Sequence, residues 1–215
     1  MKKRIKVILV DDHAVVRAGF RMLLSTEDSI EVIAEAERGE QACQLYLEKQ
    51  PDVMVLDLSM PGIGGLETIR RICTRDSNAK ILVFSVHDER VYVDRAMNAG
   101  AKGYITKHAH PETLIAAIQK IAEGEVYIKQ GLIRHEATLA TSETDYKTII
   151  ESLSAREFDV LLLLAKGLTA HKIADELCLG YKTVANYGTQ IRSKLKVSSV
   201  AELAHIAMVL GVMKN

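Results

Sequence analysis

Short runs of Val, Ile and Leu alternate with helical patterns five times in the first 124 residues. Runs such as Ile8-Leu9-Val10 and Val53-Met54-Val55-Leu56 are uniformly apolar, which suits strands buried on both faces of a parallel sheet. Strands are expected at 5–10, 31–36, 53–57, 80–85 and 103–106, and helices at 14–25, 39–49, 64–74, 89–98 and 111–123. The last helix shows the period: Leu114, Ile118 and Ile121 form one stripe, Pro111 suits its first turn and Gly124 its end. Five such units predict an α/β fold with a five-stranded parallel sheet and helices on both faces.

What closes these runs is charged. Asp11-Asp12 ends the first, Asp57 the third, and Lys107 follows Gly103-Tyr104-Ile105-Thr106. The carboxyl ends of strands in an open α/β sheet share one edge, where ligands bind. Three carboxylates and one ammonium would therefore meet there. Clustered carboxylates repel unless a cation neutralises them, and hard oxygen ligands suit Mg²⁺. Such a site serves phosphoryl chemistry.

The chain has 215 residues, 48% apolar and 26% charged, enough for one large core or two modest ones. Its basic start runs into Lys6 and then Asp11-Asp12, too short an apolar stretch for a signal peptide. No segment approaches the roughly 20 apolar residues that span a bilayer. Cys43, Cys73 and Cys178 are odd in number and widely spaced, so neither a disulfide framework nor a zinc site is indicated. A cytoplasmic protein with no membrane partner is expected.

Residues 125–150 lose the alternation. A short helix fits 128–140, but Thr141-Ser142-Glu143-Thr144-Asp145 is polar and without period, so the stretch reads as a linker between domains at 1–124 and 151–215. Beyond it the pattern is wholly helical. Ser154 and Glu157 make a capping box, Gly167 ends that helix and Thr169 caps a second to about Leu177. A third helix runs from Tyr181 to about Leu195, and Ser198 or Ser199 caps a fourth. Four short helices with one tight turn form a small all-α helix-turn-helix domain. Residues 166–196 hold six Lys/Arg against two Asp/Glu, an excess that permits nucleic-acid binding without proving it.

The acidic pair, Val55-Leu56-Asp57-Leu58-Ser59-Met60-Pro61-Gly62, Ser85 and Gly103-Tyr104-Ile105-Thr106-Lys107 together resemble the flavodoxin-like receiver domain of bacterial two-component response regulators over residues 5–123. The resemblance implies that Asp57 becomes an aspartyl phosphate. Asp12, Asp57 and the Ser59 backbone carbonyl would hold Mg²⁺, with Asp11 acting largely through water. Lys107 and Ser85 would contact phosphoryl oxygens, and Tyr104 would be the switch aromatic that turns inward as Ser85 moves. The receiver would assist only its own phosphorylation and dephosphorylation and would not be an enzyme otherwise. His13 is read as a local cap, and His87 and His108 as loop histidines. A Mg²⁺-dependent phosphatase with an Asp nucleophile is the rival enzyme reading. It expects Asp-x-Asp on the first strand, where this chain has Asp11-Asp12-His13.

Leu153-Ser154-Ala155-Arg156-Glu157, Lys166-Gly167-Leu168-Thr169, Ile173-Ala174, Lys182-Thr183-Val184 and Lys194-Leu195 resemble the LuxR-type DNA-binding domain. Joined to a receiver, this is the NarL/FixJ class. Val184, Tyr187, Ile191 and Leu195 form the expected buried stripe of the recognition helix. Asn186 and Thr189 are candidates for base readout, and Lys182, Thr183, Arg192, Lys194 and Lys196 for phosphate contacts. Gly180 stands where the family usually has Ser and Tyr187 where His is common, while Gly188 costs roughly 1 kcal/mol relative to Ala inside a helix. The fourth helix carries Val200, Leu203, Ala204, Ala207 and Leu210, part of which must cover the domain's own core. The implied partners are a sensor histidine kinase, promoter DNA, a second copy of the chain through the rest of that stripe with Ala201 and Ala204, and RNA polymerase. A rival reading keeps both domains but makes the receiver a dimerisation unit that is never phosphorylated.

Overall fold

In a computed structural model of the chain, the described residues are 4–128, 146, 148–150 and 152–209. The chain divides into two compact units near residue 132. The first alternates β1 (Ile5–Val10), α1 (Ala14–Ser25), β2 (Ile30–Ala36), α2 (Gly39–Lys49), β3 (Val53–Leu56), α3 (Gly64–Arg75), β4 (Ile81–Ser85), α4 (Arg90–Asn98), β5 (Gly103–Thr106), α5 (Pro111–Ala122) and β6 (Tyr127–Ile128). All strand pairs are parallel, in the order β2-β1-β3-β4-β5-β6. The five expected strands form the body of the sheet, each within about a residue of its expected bounds.

The sixth strand departs from expectation. It starts where the linker was expected, pairing Tyr127 with Gly103 and Ile128 with Tyr104. Two residues carry no periodicity, so only the sheet edge they complete reveals them. The rest of the helix expected over 128–140, the polar tract and Leu210 lie outside the described residues.

Burial on both faces follows from the crossovers. Val7, Leu9, Val53, Val55, Leu82, Phe84 and Ile105 face one helical layer, packed with Leu24 of α1 and Leu114, Ile118 and Ile121 of α5. Their neighbours Ile8, Val10, Met54, Leu56, Ile81 and Val83 point the other way by the two-residue period and are equally buried. Each such side chain contributes about 1.5–3 kcal/mol on leaving water, which is why even four-residue strands hold.

The second unit contains α6 (Ala155–Ala165), α7 (Ala170–Glu176), α8 (Tyr181–Leu195) and α9 (Val200–Val209). Phe158, Leu161, Ile173, Val184, Ile191, Leu195, Leu203 and Ala207 fill its core. The expected capping box is present: Ser154 Oγ accepts from Glu157 N at 3.3 Å and Glu157 Oε2 accepts from Ser154 N at 2.8 Å. On α8 the buried stripe is Val184, Gly188, Ile191 and Leu195, while Tyr187 is only half-buried. At 3.6 residues per turn, position 188 lies about 40° from Val184 and position 187 about 60°, so the glycine is nearer the centre. A methyl at Gly188 would stand 3.5 Å from Leu164 Cδ1, an ordinary contact, so packing against α6 does not demand glycine there.

Lys194 has a contact that the sequence did not announce. Its ammonium sits 2.6 Å from Glu157 Oε1, tying the end of α8 to the start of α6. Burial raises the Glu157 carboxyl, but Lys194 and the two Ser154 hydrogen bonds outweigh it and hold the group below its ordinary value. Stability from a depressed carboxyl is complete above the unfolded value near 4.3 and is lost as pH falls through the folded value. Lys194→Met should therefore cost about 1–2 kcal/mol at neutral pH, the partial exposure of the lysine moderating the loss of a charged hydrogen bond. Denaturant unfolding at pH 7 and at successively lower pH checks this, since the difference between the two proteins should shrink as Glu157 becomes protonated.

Candidate functional site

The strand order puts the ends of β1, β3, β4 and β5 side by side. Val10 is in register with Leu56, so Asp11 and Asp57 leave the sheet together. Ser85 pairs with Thr106, and Lys107 N donates to the Ser85 carbonyl at 2.7 Å. Residues separated by almost a hundred positions thus share one pocket. Asp57 is 2% exposed and Asp11 5%.

Lys107 Nζ lies 2.6 Å from Asp11 Oδ2 and 2.8 Å from Asp57 Oδ2. Burial alone would lower its affinity for a proton, but the two carboxylates hold it above the usual lysine value. Asp57 shows the opposite contest: burial pushes its carboxyl up, and Lys107 only partly pulls it back. Burial is the main cause, and the neighbouring Asp11 carboxylate adds to it. Three carboxylates and one ammonium sum to −2, and like charges about 4 Å apart repel by roughly 4 kcal/mol at an effective dielectric of 20.

Asp11, Asp12, His13 and Asp57 offer ligand atoms within 4.8 Å of one another. Asp57 Oδ1 is buried without a hydrogen-bond partner, and Asp12 Oδ1, also buried, has only the His13 ring nitrogen beside it. Buried carboxylate oxygens left bare are costly unless a cation takes them. A hard dication fits this donor set in charge and in ligand type. His13 occupies the N-cap position of α1, but its ring does not cap the helix. Its exposed ring turns instead toward Asp11 and Asp12, with Nδ1 3.2 Å and 2.9 Å from their Oδ1 atoms.

The remaining site residues surround the acceptor. Ser85 is fully buried and its Oγ accepts from His87 N at 3.3 Å. Tyr104 is also fully buried, and its hydroxyl donates to the His87 carbonyl at 2.9 Å. The ring is thus enclosed in the fold. Ser59 Oγ lies 2.9 Å from His87 Nε2, and the His87 ring stacks on Tyr92 at 3.9 Å. His87 stays a loop residue, as expected, and with Ser59 it flanks the site, joining the acceptor turn to α4 across 28 positions. Arg17 was missed. It donates to the Asp11 carbonyl at 2.6 Å from the second turn of α1.

In the helical unit, Lys182, Thr183, Asn186, Thr189 and Lys196 are exposed and Arg192 is half-buried. Thr189 Oγ donates to the Ala185 carbonyl at 3.1 Å, which leaves its methyl and lone pairs outward. Lys194 is exposed as well, and its ammonium is paired with Glu157. Tyr181 opens α8 with an exposed ring stacked on His171 at 4.3 Å.

Residues 7–119 match the response regulator receiver domain and residues 151–207 the bacterial regulatory proteins of the luxR family. The chain is 37% identical to the response regulator UvrY of Escherichia coli (strain K12) over 208 residues, 97% of this chain and 95% of that protein. It is 38% identical to the transcriptional activator protein ExaE of Pseudomonas putida over 209 residues, 97% of this chain and 98% of the relative. The crystal structure of a LuxR-family two-component response regulator from Aurantimonas sp. SI85-9A1 superposes with a TM-score of 0.59 at 38% identity, covering 60% of this chain and 93% of that one. With a parallel receiver sheet, a helix-turn-helix domain and relatives matched along nearly their whole length, the chain belongs to the two-component response regulators of the NarL/FixJ class.

Proposed function

We propose that Asp57 accepts a phosphoryl group from the histidine of a sensor kinase and that this modification promotes sequence-specific binding of promoter DNA by α8. The observation that carries the reading is the pocket of Asp11, Asp12, Asp57 and Lys107, with the buried Asp57 Oδ1 left bare. Asp11, Asp12, Asp57 and the Ser59 backbone carbonyl would hold Mg²⁺, whose bound charge would neutralise the phosphoryl oxygens. Asp57 attacks phosphorus as a carboxylate, and Lys107 exchanges its contact with Asp57 for a phosphoryl oxygen. The Ser85 hydroxyl donates its proton to another oxygen, and its movement toward that oxygen pulls on the contact it accepts from His87 N. Tyr104 is enclosed in the fold, so the change passes through the 85–87 turn and the His87 ring stacked on Tyr92. RNA polymerase and a second copy of the chain are the further partners of this reading, with Val200 and Met208 on the exposed side of α9 available for pairing. Binding promoter DNA places the protein in the cytoplasm.

DNA captured by the protein after treatment with acetyl phosphate and Mg²⁺ should be bound more tightly than by untreated protein. Equal affinities would favour the reading in which the receiver only dimerises. On that DNA, Thr189→Ala should change which bases are preferred. Lys182→Ala should instead weaken all sequences alike and reduce the slope of log affinity against log salt by about 1. Unchanged preference and slope in both variants would remove α8 from the interface.

A further inference from the structure

Besides the His13 ring at Oδ1, four contacts fix Asp11. Its N–H donates to the Ala36 carbonyl of β2 at 3.1 Å, and its carboxylate accepts from His13 N at 2.9 Å and pairs with Lys107. The fourth contact is the 2.6 Å bond from Arg17 Nη1 to its carbonyl oxygen. Arg17 spends its other donors on β2 and the turn after it. Nε lies 3.3 Å from Glu35 Oε2 and Nη2 3.1 Å from Glu37 Oε1, in a side chain only 11% exposed. The planar fork thus joins the β1–α1 turn to the end of β2. It grips the backbone and leaves the Asp11 and Asp12 oxygens to other partners.

We infer that Arg17 is a positioning residue for the cation site, holding the turn that carries Asp11 and Asp12 in ligating geometry and thereby setting the affinity of the receiver for its metal. This rests on the metal site proposed above. The sign of the effect separates geometry from charge. Arg17 and Arg21 are matched by Glu35 and Glu37, so this cluster is neutral around the turn. Deleting the Arg17 charge would make the surroundings more negative, and simple electrostatics would then tighten a dication. Loss of positioning must do the reverse. Groups that orient a metal's ligands typically change affinity by about 10–100-fold when removed.

Calorimetric titration of the full chain with Mg²⁺ alone, without a phosphoryl donor, tests this. Arg17→Met should weaken binding at least about tenfold, although its charge change favours tighter binding. Arg17→Lys keeps the charge but not the three-way grip, and should fall between the parent and Arg17→Met. It keeps the idea testable if the methionine variant does not fold. Glu37→Gln, at an exposed position that touches only the far edge of the fork, should bind like the parent. Binding by Arg17→Lys and Arg17→Met equal to or tighter than the parent's overturns the inference. No Mg²⁺ binding by the parent itself would instead overturn the metal site on which it rests.

Discussion

Asp57→Asn should take up no phosphoryl group from acetyl phosphate and Mg²⁺, yet unfold at a higher temperature than the parent when metal is absent. The first half follows from nucleophilicity, because an amide oxygen does not form the acyl phosphate that a carboxylate can. Intact mass reads it directly, and a labelled Asn variant would mean that the acceptor lies elsewhere. The second half follows from burial. The Asp57 carboxyl is held above its ordinary value, chiefly by desolvation, so the folded protein keeps that proton to higher pH than the unfolded chain does. A raised carboxyl makes the folded state bind more protons, and stability falls as pH rises from the unfolded value near 3.9 through the folded one. At neutral pH the ionised group is a net burden, which asparagine removes while Lys107 retains Asp11 as partner. Below about pH 3.9 the two proteins should converge.

Metal should reverse the order. A ligand that binds only the folded state adds about 2.7 kcal/mol at a hundred times its dissociation constant. Asp57→Asn, lacking one ligand and one charge, should gain much less. An unfolding midpoint of the parent that does not move with Mg²⁺ would show that the pocket's bare Asp57 oxygen is not waiting for a cation. This trade between stability and function has a simple physical origin. A site that must receive a dication and a phosphoryl group is left undercompensated until they arrive.

The receiver could be read from the sequence because its information is local and periodic. Val53-Met54-Val55-Leu56 announces a buried strand by itself, and the parallel-sheet rule then carries Asp57 to a shared edge without any knowledge of the partner strands. Caps were equally legible, since Ser154 and Glu157 are three residues apart. What sequence hid is contact at a distance. Lys194 reads as a candidate phosphate ligand because it is basic and lies near the end of the recognition helix, but its pairing with a buried carboxylate 37 positions away has no local sign. Arg17 showed the same blindness from the other side, since nothing in Asp-Asp-His-Ala-Val-Val-Arg says that its fork will find β2. The edge strand at Tyr127–Ile128 was hidden for a third reason, being too short to have a pattern.

Gly65→Ala should be the most damaging single methyl group in the receiver. Gly65 begins the second position of α3, and its N–H donates to the Leu58 carbonyl at 3.0 Å, drawing the helix start onto the turn that follows the acceptor. A Cβ there would stand 2.5 Å from Leu58 Cα and inside contact distance of the Asp57 carbonyl oxygen. Both obstacles are backbone, so no rotamer change relieves them. Either α3 moves away from the sheet or the Asp57–Ser59 turn moves into the pocket. Overpacking of this kind costs about 1–3 kcal/mol, but the chemical penalty should be larger. A shift of about 1 Å in a reacting group can lower a rate a hundredfold, and this turn carries both the nucleophile and the Ser59 carbonyl proposed as a metal ligand. Phosphorylation by acetyl phosphate should therefore slow far more than the loss of stability explains, in a protein still folded at room temperature. The comparison that isolates the cause is Gly19→Ala, at a helix position where the added methyl meets nothing within 4 Å. That variant should phosphorylate at the parental rate, and equal slowing in both would show that any added methyl, not pressure on the acceptor turn, is responsible.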